Sequence, residues 1–132
     1  MSHPAEPQLS GLRILVVDDE LLICEMISDA MQDVGCDIVG PATSEERGKI
    51  LADSETLDGA FLDINLAGKL SFSVAEILAR RGVPFVFLTG YNKTAIPETY
   101  RQVPTLWKPF QIHELLSSAR RHFTKATPQQ RA

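Results

Sequence analysis

Short, uninterrupted apolar runs constrain the fold of this chain more than any other feature of its sequence. The runs lie at residues 12–17, 36–39, 59–62, 84–88 and 104–107. Continuous apolar runs of this length are typical of strands that are covered on both faces, as in a parallel sheet. Each gap between the runs is long enough for a helix. The chain therefore predicts an α/β fold in which helices connect buried parallel strands.

Helical patterns occupy most of these gaps. Apolar residues at i, i+3 and i+4 spacing predict a first helix that ends near Gly35 and a last helix over residues 112–123. Thr43 with Glu46 resembles a capping box, which opens a second helix. Apolar residues within 74–82 predict a third helix.

The gap before the last strand is less regular. Pro97 interrupts residues 92–101, so we expect the fourth helix to be short or irregular. The prediction is a doubly wound α/β sheet of five parallel strands with about five helices. We expect one domain over residues 11–124, with flexible termini at 1–10 and 125–132, which are polar and contain proline.

Bulk properties exclude some classes of function. The net charge of −4 gives no sign of direct nucleic-acid binding, which usually needs a basic surface. No apolar run is long enough to insert into a membrane, and residues 1–10 do not resemble a secretory signal. Cys24 and Cys36 lack metal-site spacing and predict buried free thiols. A cytoplasmic location is therefore expected, because thiols stay reduced there.

Polar side chains follow four of the predicted strands directly, at the strand ends where open α/β sheets bind ligands. Any one of them could be a helix cap or a solvated surface group, but four coincidences are improbable together. The residues are Asp18, Asp19 and Glu20 after the first strand, Asp63 after the third, Thr89 after the fourth and Lys108 after the fifth.

These residue types indicate phosphoryl-transfer chemistry. Carboxylates at Asp18, Asp19 and Asp63 repel one another, and Mg²⁺ would relieve that repulsion while keeping open positions for a phosphoryl oxygen. A carboxylate can attack phosphorus to give an aspartyl phosphate. Asp63 precedes a polar loop and suits the attack, whereas the adjacent Asp18 and Asp19 suit the metal ion. Lys108 and Thr89 can neutralise and hydrogen-bond the transferred group.

Four ordered motifs resemble the signature sites of response regulator receiver domains over roughly residues 11–124. They are Val-Val-Asp-Asp-Glu (16–20), Leu-Asp-Ile-Asn-Leu (62–66), Leu-Thr-Gly-Tyr (88–91) and Lys-Pro-Phe (108–110). The resemblance implies a flavodoxin-like fold with strand order 2-1-3-4-5.

The resemblance also implies a role for each metal-site residue. Asp63 would be the phosphoacceptor, and Asp19 would bind Mg²⁺ directly. Asp18 would bind the ion directly or through water, and the backbone carbonyl of Asn65 would complete the protein ligands.

Two further residues would contact the phosphoryl group. The resemblance implies that Thr89 donates a hydrogen bond to it and moves toward it on activation. Lys108 would form an ion pair with the phosphoryl oxygens, and the Lys108–Pro109 peptide bond would be cis.

One position departs from the usual receiver pattern. Receivers usually carry Tyr or Phe three residues before the lysine, where this chain has Thr105. The stretch 87–91 resembles the FATGUY group of stand-alone receivers, which lack that aromatic residue and work with histidine kinases of the HWE type. We predict that the switch comprises Thr89, Gly90 and Tyr91; the alternative, that Tyr91 is a fixed packing residue, stays open.

The function expected from the sequence is that of a single-domain response regulator rather than an enzyme. Asp63 would accept a phosphoryl group from a sensor histidine kinase. The output would be binding of a downstream regulator through residues 92–124, or relay of the phosphoryl group to a phosphotransfer protein.

Two alternatives remain at this stage. A phosphatase of the haloacid-dehalogenase type uses similar residues, but its nucleophile comes early as Asp-x-Asp and its acidic pair comes last, which is the reverse of the order here. A degenerate receiver that no longer accepts phosphate is the second alternative, and the altered aromatic position at Thr105 is its only support.

Overall fold

The computed structural model describes residues 6–90 and 96–125. Strands and helices alternate along the chain as the sequence predicts, with two additional short strands. In chain order the elements are β1 (Arg13–Val17), α1 (Leu21–Asp33), β2 (Asp37–Ala42), α2 (Glu45–Ser54), β3 (Gly59–Asp63), β4 (Asn65–Leu66), β5 (Lys69–Leu70), α3 (Phe72–Arg80), β6 (Phe85–Thr89), a 3₁₀ helix (Glu98–Tyr100), β7 (Thr105–Trp107) and α4 (Ile112–His122).

The five long strands form one parallel sheet in the order β2-β1-β3-β6-β7. Strands β4 and β5 form a separate antiparallel hairpin. Without this hairpin, the order is the 2-1-3-4-5 that the resemblance implies, so the predicted fold class is confirmed. The order places β3, which ends in Asp63, at the centre of the sheet.

Helices cover both faces of the sheet. Alternate side chains of each strand point to opposite faces, so each strand contributes to two cores. Ile14 and Val16 of β1 enter the core that α1 and α4 cover. Leu15 and Val17 enter the opposite core, which α2 and α3 cover. Burial on both faces explains why the strands read as continuous apolar runs. None of the helices in the described ranges has the length and apolarity to cross a membrane.

The segment before β7 differs from an ordinary helix. Residues 98–100 form one 3₁₀ turn, and residues 92–95 of the predicted fourth helix lie outside the described residues. Pro97 precedes the turn with φ −55° and ψ 149°, an extended conformation that stops a helix. The described residues therefore contain four α-helices where the sequence predicts about five.

Residues 6–10 pack onto the domain, although the sequence predicts a flexible terminus there. Leu9 is fully buried in the core beneath α1 and α4. The Glu6 carboxylate accepts two hydrogen bonds from Arg120, at 2.6 and 2.9 Å, and the Cys36 thiol donates one to the Leu9 carbonyl. The isolated Leu9 gives no periodic signal, so only the folded chain shows its burial.

We predict that Leu9→Ala lowers the free energy of unfolding by about 2–5 kcal/mol, because it leaves a cavity in a closed core. The matched control is Leu22→Ala in α1, since Leu22 is 79% exposed. The control should change stability by less than about 0.5 kcal/mol. Urea denaturation monitored by circular dichroism measures both variants. If Leu9→Ala is as stable as wild type, residues 6–10 do not contribute to the core.

Candidate functional site

Four strand ends meet at one edge of the sheet and form an acidic pocket. Asp18 follows β1, Asp63 ends β3, Thr89 ends β6 and Lys108 follows β7. Asp18 is fully buried, and Asp63 and Thr89 are each only 5% exposed. The carboxyl ends of parallel strands lie side by side, which brings together residues far apart in the chain.

The Lys108 ammonium lies at the centre of this pocket. Its Nζ is 2.7 Å from Asp18 Oδ2, 2.7 Å from Glu20 Oε1 and 3.2 Å from Asp63 Oδ2. The Lys108 backbone N–H donates to the Thr89 carbonyl at 2.7 Å, which fixes the start of the lysine loop against β6. The Lys108–Pro109 peptide bond is cis, as the resemblance implies.

The loop after β3 holds Asp63 through its backbone and its side chain. The Asn65 N–H donates to Asp63 Oδ1 at 3.2 Å, and the Ser71 hydroxyl donates to the Asp63 carbonyl at 2.5 Å. The β4–β5 hairpin lies between Asn65 and Ser71 and turns at Ala67 and Gly68. These two residues have positive φ values, 52° at Ala67 and 93° at Gly68. The hairpin therefore determines where Asn65 sits beside the phosphoacceptor position.

Burial and mutual repulsion shift the pKa values of the pocket groups. The pKa of Asp63 is raised to about 7, because burial and then the negative charge of Asp18 outweigh the opposing effect of Lys108. Burial also raises the pKa of Asp18. Burial alone would lower the pKa of Lys108, but its close contacts with the carboxylates of Asp18 and Glu20 raise it above its usual range. The pocket therefore disfavours ionisation of both Asp18 and Asp63 while Lys108 is the ammonium beside them.

The donor set fits Mg²⁺. One carboxylate oxygen from each of Asp18, Asp19, Glu20 and Asp63 lies within 4.8 Å of the others. Asp18 Oδ2 is buried and receives no hydrogen bond of good geometry from any residue in 6–90 or 96–125, although Lys108 lies close to it. A buried carboxylate oxygen of this kind can accept a cation, and Mg²⁺ prefers an all-oxygen ligand set. Asp18, Asp19, Asp63 and the Asn65 carbonyl would hold the ion.

The structure brings most of the sequence-predicted residues together. Asp18, Asp19, Asp63, Thr89 and Lys108 all lie at the same sheet edge, and Asn65 follows two residues after Asp63.

The predicted switch residues are only partly described. A Cβ atom added at Gly90 would meet nothing within 4 Å, so packing does not require glycine at this position. Tyr91 lies outside the described residues, and its role stays a prediction.

Two contacts were not assigned from the sequence. The sequence places Glu20 after β1 but does not pair it with Lys108, because the two are far apart in the chain. Ser71, which anchors the Asp63 carbonyl, carries no sequence signal, and its link appears only in the folded loop.

The raised pKa of Asp63 predicts a pH-dependent stability in the absence of metal. The folded pKa of about 7 lies above the unfolded value of about 3.9, so between these pH values the unfolded chain releases a proton that the folded chain keeps. Asp63 therefore favours the fold below about pH 4, and this contribution is lost as pH rises through 7, by about 1 kcal/mol per pH unit.

Urea unfolding in a metal chelator between about pH 5 and pH 7 measures this effect. Asp63→Asn, which cannot ionise at this position, should show a shallower decline than wild type, while the exposed control Asp53→Asn should keep the wild-type slope. Parallel pH profiles for wild type and Asp63→Asn would contradict the raised pKa.

A comparison with family models shows the family of this chain. The model of the response regulator receiver domain matches residues 14–120. Among curated proteins, PilG of Pseudomonas aeruginosa is 25% identical over 130 residues, which cover 93% of this chain and 96% of PilG. The sensor protein TorS of Escherichia coli strain K12 is 28% identical over 95 residues, 72% of this chain. The aligned region is only 10% of TorS.

Solved structures agree with these matches. The solution structure of SdrG from Sphingomonas melonis Fr1 superposes with a TM-score of 0.73 at 34% identity, covering 81% of this chain and 92% of SdrG. NtrX from Brucella abortus superposes with a TM-score of 0.72 at 26% identity, covering 84% of this chain and 27% of NtrX.

Proposed function

Because the chain belongs to the response regulator receiver domain family, we propose that it accepts a phosphoryl group on Asp63 from a sensor histidine kinase in the presence of Mg²⁺. One observation carries this proposal. The buried Asp63 carboxylate lies 3.2 Å from Lys108 Nζ and within 4.8 Å of the oxygens of Asp18, Asp19 and Glu20. A nucleophile, a cation and metal ligands thus share one pocket.

The transfer breaks one bond and forms one bond. An Asp63 carboxylate oxygen attacks phosphorus while the bond from phosphorus to the histidine nitrogen breaks, and the electron pair stays on that nitrogen. Mg²⁺, when bound, supplies the positive charge that lets two anions approach each other. Lys108 can leave its contacts with Asp18 and Glu20 to neutralise the phosphoryl oxygens, and the Thr89 hydroxyl can donate a hydrogen bond to them.

The output belongs to the same proposal. The protein acts as a single-domain FATGUY-type regulator in the cytoplasm, whose kinase is of the HWE type. Phosphorylation switches binding of a downstream regulator, or the phosphoryl group passes on to a phosphotransfer protein. It does not turn over a separate substrate as an enzyme and does not bind nucleic acid directly. The family membership favours this reading over a haloacid-dehalogenase phosphatase.

We expect acetyl phosphate with Mg²⁺ to add one phosphoryl group to the wild-type protein, because a small donor needs only the pocket itself. Asp63→Asn should gain none, since the amide is not a nucleophile of this kind. Asp53→Asn, an exposed carboxylate change elsewhere, should react as wild type does. Intact-mass spectrometry reads the added group directly.

The metal is tested in the same experiment. Addition of a chelator should abolish the mass gain, because the carboxylates of the pocket would then repel the donor. A mass gain that survives in Asp63→Asn would place the acceptor elsewhere. No gain in wild type from either acetyl phosphate or a phosphorylated histidine kinase would favour the degenerate-receiver alternative.

A further inference from the structure

Tyr100 packs against three other aromatic rings, and the sequence gives no sign of this cluster. Its ring is stacked on Phe72, with centroids 5.7 Å apart and planes at 13°. It meets the edges or faces of Phe85 and Phe87 at 6.3 and 6.0 Å in T-shaped arrangements. Both geometries are favourable for aromatic pairs. Tyr100 is nevertheless only half-buried, so part of its ring reaches the surface.

Phe72 connects Tyr100 to the phosphoacceptor. It is the first residue of α3 and follows Ser71, whose hydroxyl donates to the Asp63 carbonyl. The Ser71 N–H also donates to the Ile64 carbonyl at 2.9 Å. These bonds connect the loop after Asp63 to the start of α3, and so to the ring on which Tyr100 stacks.

Phe87 connects Tyr100 to the other side of the pocket. It lies two residues before Thr89 in β6, so both side chains are on the same face of the strand. Phe87 is fully buried, and its ring also contacts Phe72. The two chain segments that carry Asp63 and Thr89 thus converge on one aromatic ring.

The described part of the segment that carries Tyr100, residues 96–103, packs against the core through three residues. The 3₁₀ helix is three residues long, has no side-chain hydrogen bond at its N-cap and contains no buried residue. Besides Tyr100, Ile96 and Val103 are the residues of the 96–103 segment that pack against the core. Within the described part of this segment, Tyr100 is the residue that joins it to the rings of Phe72 and Phe87.

We propose that Tyr100 is the coupling residue that transmits phosphoryl occupancy at Asp63 to the surface of the 96–103 segment. The inference rests on the proposed function. Contacts of the phosphoryl group with the Asp63 loop and Thr89 hold Phe72 and Phe87 in one arrangement. The Tyr100 ring then packs more tightly against these two rings. Tyr100 thereby takes the place of the aromatic residue that is absent at Thr105.

Hydrogen exchange of the 96–103 segment tests this coupling. The probe is beryllium fluoride with Mg²⁺, a noncovalent mimic of the phosphoryl group. In wild type, the probe should slow amide exchange in residues 96–103 by about fivefold or more, the lower end of ordinary coupling. Tyr100→Leu should lose this slowing, whereas Tyr100→Phe, which keeps the ring, should retain it.

A second readout separates coupling from simple loosening of the segment. Coupling is reciprocal, so Tyr100→Leu should weaken beryllium fluoride binding by about the same factor by which wild-type exchange slows. Trp107, the single tryptophan, is 53% exposed beside Lys108 and reports binding by its fluorescence. Phe123→Leu, which removes a ring from the opposite core, should lower stability but leave both readouts as in wild type.

The outcomes are distinct. Retained slowing in Tyr100→Leu, unchanged probe affinity in that variant, lost slowing in Tyr100→Phe, or no slowing in wild type would each overturn the role of Tyr100. Failure of acetyl phosphate to modify wild-type Asp63 would instead overturn the proposed function, and intact mass shows this before any exchange is measured.

Discussion

Repulsion between buried carboxylates is the constraint on which this structure depends. Asp18 and Asp63 are held at the ends of neighbouring strands with one ammonium, Lys108, between them. Burial makes ionisation of both carboxylates unfavourable, and it raises both pKa values. Such a site is stabilised by adding positive charge, which is the physical reason for proposing metal binding and phosphoryl transfer at the same edge of the sheet.

The parallel sheet makes this unfavourable arrangement possible. Strands β1, β3 and β6 are covered on both faces, so they form a rigid frame whose carboxyl ends cannot move apart to relieve the repulsion. The free energy of burying the apolar residues offsets the cost of the charged pocket.

The same frame links the pocket to the surface. Ser71 ties the Asp63 loop to α3, and the rings of Phe72 and Phe87 meet at Tyr100. The chain lacks the usual aromatic residue at Thr105, yet an aromatic residue five positions earlier reaches the core between these elements. The contact depends on the short 3₁₀ turn after Pro97, which places Tyr100 over the sheet.

The sequence by itself determined the sheet, its covered faces and the residues of the acidic pocket, because strand periodicity and strand-end chemistry are local signals. Only the tertiary structure decided which distant groups meet. Leu9 is buried although its neighbours are polar, Glu20 reaches Lys108 across 88 positions, and Tyr100 stacks on Phe72. Such contacts depend on how loops close over the frame, and loop closure is governed by packing between segments rather than by the residues of one segment.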